Sequence, residues 1–266
     1  MPRGHAVQEF EAVFGGHMRW LGDDGGASYR RVQLQLPDEE IRRRSLFLGF
    51  ASAVVEVMRL PLGTELGESP RAGQRLRREG DVQLLMTTVA ELDVQPHPRE
   101  GTPDRRRRLS VYDARWCANL LPVPEGARVL DPFAGLGTLA AAAEERGLRV
   151  VALEFDPVTG GGCRRAVRCV VRADARYPPH ASGTFDAVLS EPPYREHERA
   201  VVRSSLPRLC EMVRPQGVLG LLLSESLCRD LLAMPVVRQL HLERDASLIR
   251  HGWPCRYLVL RKRSGT

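Results

Sequence analysis

Residues 128–138 read RVLDPFAGLGT, a short apolar strand that runs into a glycine-rich turn just ahead of an alanine-rich stretch over 138–146. A strand that turns on glycine straight into a helix opens a parallel-sheet unit, because a helix must carry the chain back before the next parallel strand can form. The rest of the chain repeats this unit. Residues 149–154, 169–172 and 184–190 read as further strands, 196–213 as a helix stopped by Pro215, and 217–223 as the nearly continuous apolar run of a strand buried on both faces. Residues 240–249 and 255–261 flank Gly252, Trp253 and Pro254, a turn signal that predicts an antiparallel hairpin closing the sheet, with Trp253 packed at the turn. Gly160, Gly161 and Gly162 each cost a helix about 1 kcal/mol, so the helix after the second strand is expected to begin near Cys163.

The front of the chain lacks this alternation. Residues 15–28 read as a loop and 31–36 as a half-buried strand stopped by Pro37. Asp38 caps a helix on which Leu46, Phe47, Phe50, Val54, Val57 and Met58 recur as a core stripe. A loop over 63–80 and a strand over 81–94 complete it. Residues 94–108, with three prolines and the run Arg105 to Arg108, read as a linker. The boundary therefore falls near residue 100, between a small α+β domain over 1–100 for substrate recognition or as a lid, and an α/β domain over 101–266.

Composition narrows the class. With 266 residues, 43% hydrophobic and 27% charged, the chain can bury a full core, which excludes a disordered tail or a disulfide-stapled miniprotein. No apolar run is long enough to span a bilayer and the first residues do not form a secretory signal, so a soluble, cytoplasmic protein is expected. The six cysteines never fall as C-x-x-C, which argues against a zinc site, and no metal is expected. The net charge of +6 is unevenly spread, with −2 over 1–100 and +8 over 101–266. Lys262 is the only lysine among 39 basic residues, so arginine enrichment is general and says little by itself about partners.

Chemistry-bearing residues gather at strand ends. Glycines in the turn over 131–138 let the backbone approach a ligand, and Glu154, ending the next strand, is placed to accept hydrogen bonds from both hydroxyls of a ribose. Gly135, Gly137 and Ala140 also satisfy a relaxed G-x-G-x-x-A dinucleotide fingerprint, which brings in nicotinamide or flavin cofactors. The fourth strand decides against them, because it runs into Glu191-Pro192-Pro193-Tyr194, for which hydride chemistry has no use. An exocyclic amine is a poor nucleophile, since its lone pair is delocalised into the ring. The Glu191 carboxylate and a carbonyl of the stiff Pro-Pro segment can accept its N–H groups and localise that pair, while Tyr194 stacks on a flat substrate. His197, just beyond, reads as a surface residue more readily than as a base.

These residues resemble the S-adenosylmethionine-dependent amino methyltransferases, whose signature at this strand end is (Asp/Asn/Ser)-Pro-Pro-(Tyr/Phe). Within that class the lead-in RRRRLSVYDARWCANLL, the turn DPFAGLGT and the closing SLIRHGWPCRYLVLRK are most similar to the THUMP-associated tRNA guanine-N2 methyltransferases. The resemblance spans roughly residues 105–262. It implies a Rossmann-like class I methyltransferase sheet with S-adenosylmethionine as cofactor, held by Asp131, Phe133, Ala134, Gly135, Gly137, Thr138, Glu154, Phe155, Asp174 and Ala175, the acid at 174 taking the adenine amino group. It also implies catalysis by Glu191, Pro192, Pro193 and Tyr194. Glu191 departs from the pattern, and its extra methylene moves the acceptor by more than about 1 Å, a displacement that costs about a hundredfold in rate or goes with a differently shaped substrate.

The expected function is methylation of an exocyclic amino group of a planar substrate, guanine in tRNA first. Alternatives are a small planar amine in a biosynthetic pathway, adenine in DNA, and a silent fold that binds a protein through its sheet edge. RNA is the expected partner under the first, with Arg105 to Arg108 as a phosphate clamp, although the acidic front part lacks the basic surface of an RNA-docking domain.

Overall fold

In the computed structural model the repeated strand–helix units of the second part line up as one seven-stranded sheet. The structure describes residues 3–23, 30–45, 48, 53–61, 74–79, 82–91, 109–250 and 253–264. Contacts divide the chain into two compact units, Met1–Pro96 and His97–Thr266.

The first unit contains α1 (Arg3–Phe14), a 3-10 turn (Gly15–His17), β1 (Met18–Asp23), β2 (Arg30–Leu34), α2 (Asp38–Ser45), β3 (Ala53–Pro61), β4 (Gln74–Glu79) and β5 (Val82–Glu91). β1 and β2 form an antiparallel pair, and β3, β5 and β4 form an antiparallel sheet in that order. Three expectations are corrected. The stretch 15–28 carries β1 rather than only loop. Val54, Val57 and Met58 lie on strand β3, because a run of valines favours the pleated backbone whatever helical spacing it shares. The expected loop over 63–80 contains β4, whose sequence QRLRRE has little apolar signal and is held by pairing with β5. Leu46, Phe47 and Phe50 lie outside the described residues.

The second unit runs α3 (Val111–Leu120), β6 (Arg128–Asp131), α4 (Thr138–Glu145), β7 (Arg149–Glu154), α5 (Pro157–Ala166), β8 (Val170–Arg172), β9 (Phe185–Ser190), a 3-10 turn (Glu196–Glu198), α6 (Arg199–Met212), β10 (Val213–Ser224), α7 (Glu225–Leu232), α8 (Pro235–Arg238), β11 (His241–Arg250) and β12 (Trp253–Arg261). The sheet order is β11-β12-β10-β9-β6-β7-β8. The strands from β10 to β8 are parallel, and β12 inserts antiparallel between β10 and β11. From β6 the chain grows outward through β7 and β8, then returns to the other flank at β9. The carboxyl ends of β6 and β9 therefore flank a topological switch point, where open α/β sheets bind ligands.

Packing explains the local departures. α5 begins at Pro157, capped by Asp156, and not near Cys163: a Cβ at Gly162 would lie 2.7 Å from Leu136 Cδ2, whereas nothing in the packing asks for glycine at 161. Pro215 does not stop a helix. It lies in β10, where the pairing with β9 shifts register between Val213 and Val218, an irregularity that tolerates proline. One face of the sheet packs on α6 and α7 through Leu206, Leu209, Leu219 and Leu227. On the other face lies α3, whose Trp116 packs on Tyr257 with ring centres 5.6 Å apart, both fully buried. The Tyr257 hydroxyl donates to the Cys117 carbonyl at 2.9 Å. The Arg146 guanidinium gathers carbonyls at and just beyond the end of α3, donating to Ala118, to Leu121 at 2.8 Å and to Val123 at 2.9 Å. Trp253, expected to pack at a turn, opens β12 instead and is 74% exposed. No helix among the described residues is long and apolar enough to cross a membrane.

Candidate cofactor and acceptor site

The β6 end supplies a buried acid and a loop of unusual backbone. Asp131 is 2% exposed, and its Oδ1 accepts from Ser190 Oγ at 2.7 Å and from the Phe133 amide at 3.2 Å. Burial pushes its carboxyl up to about 7, against the opposing effect of those two bonds. Gly135 and Gly137 have φ of +56° and +85°, the left-handed region that glycine enters without strain. A Cβ at Gly137 would sit 2.9 Å from Val167 Cγ2 and 3.0 Å from Cys163 Sγ, whereas at Gly135 it would meet nothing within 4 Å. Gly137 is thus demanded by the protein, and Gly135 faces open space. Thr138 begins α4, and Ala134 anchors the loop by donating to the Leu153 carbonyl at 3.0 Å. Phe133 is partly buried against the core.

The neighbouring strand ends complete the loop's surroundings. Glu154 accepts from the Gly135 amide at 2.9 Å through Oε2 and from the Asp156 amide at 2.8 Å through Oε1. A carboxylate has about four lone-pair positions, so each oxygen keeps room for another donor. Beside it a cleft of about 120 Å³ is lined by Glu154, Asp156, Pro157, Gly160, Arg164 and Arg172, among others. Phe155 is 67% exposed. Beyond β8, Ala175 is buried, and Asp174 is engaged by Arg176, whose Nη2 lies 2.6 Å from Oδ2 and whose amide lies 2.9 Å from Oδ1. The Arg176 guanidinium holds the Asp174 carboxyl below the usual range.

At the end of β9 the tetrapeptide turns into an ionic cluster. Arg250, the last residue of β11 and 7% exposed, donates through Nη1 to Glu191 Oε1 and to the Tyr194 hydroxyl at 3.0 Å. Its guanidinium stands 5.7 Å from the Tyr194 ring centre, and its Nε lies 3.9 Å from Asp113 Oδ2 on α3. Burial pushes the Tyr194 hydroxyl well above its ordinary value and lowers that of Arg250. Pro192 is buried and Pro193 half-buried.

The structure thus brings the glycine bend and the Glu191–Tyr194 corner to the carboxyl ends of adjacent parallel strands, joined by the Ser190–Asp131 bond. Glu154 lies one strand over and Asp174 beyond it. His197 is exposed in the 3-10 turn. Arg105 to Arg108 lie outside the described residues. Arg250, Asp113 and Arg176 are the participants that sequence reasoning missed. Arg250 shares the inward register of β11 with Ala246 and Leu248, but the apolar Ile249 between Leu248 and Arg250 faces out, so the sequence shows no clean alternation that would have marked this arginine as inward. Among the described residues no group of three His, Cys, Asp or Glu is placed to hold a metal.

No family model matches the sequence. It is 35% identical over 124 residues to the tRNA (guanine(10)-N2)-dimethyltransferase of Methanothermobacter thermautotrophicus, covering 42% of this chain and 37% of that protein. It is 33% identical over 142 residues to the demethylmenaquinone methyltransferase of Beutenbergia cavernae, covering 48% and 58%. The solved structure of TrmN from Thermus thermophilus aligns with a TM-score of 0.53 at 25% identity, covering 71% of this chain and 59% of that one. The matches thus span little more than a third to three fifths of these proteins' lengths. The fold is that of the class I S-adenosylmethionine-dependent methyltransferases. Within that class the stretches of likeness are to a tRNA (guanine(10)-N2)-dimethyltransferase and to a demethylmenaquinone methyltransferase, each over less than half of this chain.

Proposed function

We propose that this chain transfers a methyl group from S-adenosylmethionine to an exocyclic amino nitrogen of a planar substrate, and that the substrate is guanine in tRNA. The observation that carries the reading is the Ser190–Asp131 bond of 2.7 Å, which ties the Glu191–Tyr194 corner to the glycine bend. A donor held at the bend and an amine held at the corner would be neighbours, and proximity of that kind supplies much of the rate in a transfer between two bound partners.

The residues fit the cofactor. Open space over Gly135, the N-terminus of α4 and the cleft beside Glu154 suit a nucleoside with a charged tail. Asp131, Phe133, Ala134, Gly135, Gly137 and Thr138 would hold the tail side, Glu154 the ribose, and Phe155, Asp174 and Ala175 the adenine. When bound, S-adenosylmethionine supplies an activated sulfonium methyl group. Glu191 and a carbonyl of Pro192 or Pro193 accept the amine's N–H groups, localising the nitrogen lone pair, and Tyr194 lines the acceptor pocket. The unit Met1–Pro96 serves substrate recognition.

RNA as substrate is supported by the net +8 over residues 101–266 and by the tRNA-modifying relative. A small planar acceptor is the second reading, favoured by similarity to a demethylmenaquinone methyltransferase. The test is to trace labelled methyl groups from the donor into total RNA, DNA and a cell-metabolite extract. Label in N2-methylguanine of tRNA, with binding that weakens steeply as salt rises, is the expected result. Label in a small molecule moves the assignment to the second reading, label in DNA adenine refutes both, and label in none refutes methyl transfer to these amines altogether.

A further inference from the structure

We infer that Arg250 is a positioning residue for the transfer: it anchors one oxygen of Glu191 so that the other is presented to the substrate amine. The inference rests on the amine-transfer reading above. Glutamate has one more rotatable bond than the aspartate or asparagine of the related motif, and two more than its serine, so its carboxylate needs an external support to stay in one place. Arg250 provides it. Glu191 Oε1 is bound by Nη1, while Oε2 has no hydrogen bond to any described residue. The same Nη1 holds the Tyr194 hydroxyl at 3.0 Å, so one guanidinium sets both the acceptor and the aromatic wall of the corner.

Arg250 is itself fixed. It ends β11 beside Trp253 of β12, its side chain is 6% exposed, and Asp113 of α3 faces its Nε at 3.9 Å. Two carboxylates about one buried cation leave the cluster with a net negative charge. The Glu191 carboxylate therefore keeps its acceptor character while losing its freedom of movement. The longer side chain at 191 is thus matched by a partner that reaches it from the hairpin, 59 residues away in the chain.

The test is a double-mutant cycle on turnover with Arg250→Ala, Glu191→Gln and both together, alongside calorimetric binding of S-adenosylhomocysteine. Arg250→Ala should lower turnover about a hundredfold, the loss expected when an acceptor is displaced by about 1 Å, while cofactor affinity stays within about twofold. In the Glu191→Gln background the same change should cost less than about threefold, because there is no longer an anchored carboxylate to release. Arg250→Lys, which keeps the cation but not the fork, guards against an alanine variant that fails to fold and should recover part of the loss. Equal losses from Arg250→Ala in both backgrounds, or Arg250→Lys variants with full turnover, would overturn the positioning role while leaving the proposed reaction standing. A wild-type protein that labels no amine overturns the reaction and this inference together.

Discussion

Asp131 makes the stability of the second unit depend on pH in a direction opposite to that of most native acids. Its carboxyl ionises at about 7 instead of 3.8, chiefly because burial penalises the charged form. A native value above the unfolded one means that the folded chain binds more protons across the interval. Stability is therefore full below the unfolded value and is lost as pH rises through about 7. Moving an ionisation by one pH unit between the unfolded and folded chains corresponds to about 1.4 kcal/mol, so the whole interval is worth about 4 kcal/mol, and the part above about pH 5 is worth about 3 kcal/mol. Asp131→Asn keeps an oxygen that accepts from Ser190 and Phe133 but cannot ionise. Urea unfolding of both proteins, followed through the fluorescence of buried Trp116, should show the variant gaining about 3 kcal/mol on the wild type between about pH 5 and about pH 8, then levelling off. Parallel stability curves would refute the reasoning, since they would mean that Asp131 ionises in the folded chain as it does in the unfolded one.

Two further substitutions test the architecture. Gly137→Ala combines a left-handed backbone with contacts at 2.9 and 3.0 Å, so it should cost about 2–4 kcal/mol and weaken S-adenosylhomocysteine binding at least tenfold, as read by calorimetry and urea melts. Arg146→Ala removes the part-buried donor shared by the carbonyls of Ala118, Leu121 and Val123, of which the first two keep a backbone N–H, and should cost about 2–3 kcal/mol in the same melts, with a loss below about 1 kcal/mol arguing that water replaces the guanidinium.

What was legible in the sequence follows from where the signal resides. β6, β7 and β9 are short apolar runs ended by Asp, Glu or Ser before a glycine or proline turn, so periodicity and punctuation coincide and the expected bounds fall within a residue of those observed. The helix α3 has no such mark, because Tyr112, Ala114, Trp116, Cys117, Ala118, Asn119 and Leu120 are all buried and leave little polar face to set a period. Val54 to Met58 misled because a valine-rich strand can satisfy helical spacing by chance. At the site, the glycine bend and the Glu-Pro-Pro-Tyr corner are local strings and could be read directly. Arg250 acts through a contact made when β11 and β12 join the sheet beyond β10, 59 residues from Glu191 in the chain, and Arg176 through a local pair with Asp174 that the spacing did not single out.

The Ser190 hydroxyl that donates to Asp131 sits where two parallel strands finish side by side, at the ladder spacing of about 4.8 Å. On the proposed chemistry, the distance a methyl group must cross is consequently inherited from the sheet and not from the loops that grip either partner. Changes farther out along those loops would alter which amine is admitted, whereas a change at Ser190 would alter the crossing itself. Evolution could retarget such an enzyme without rebuilding its reach.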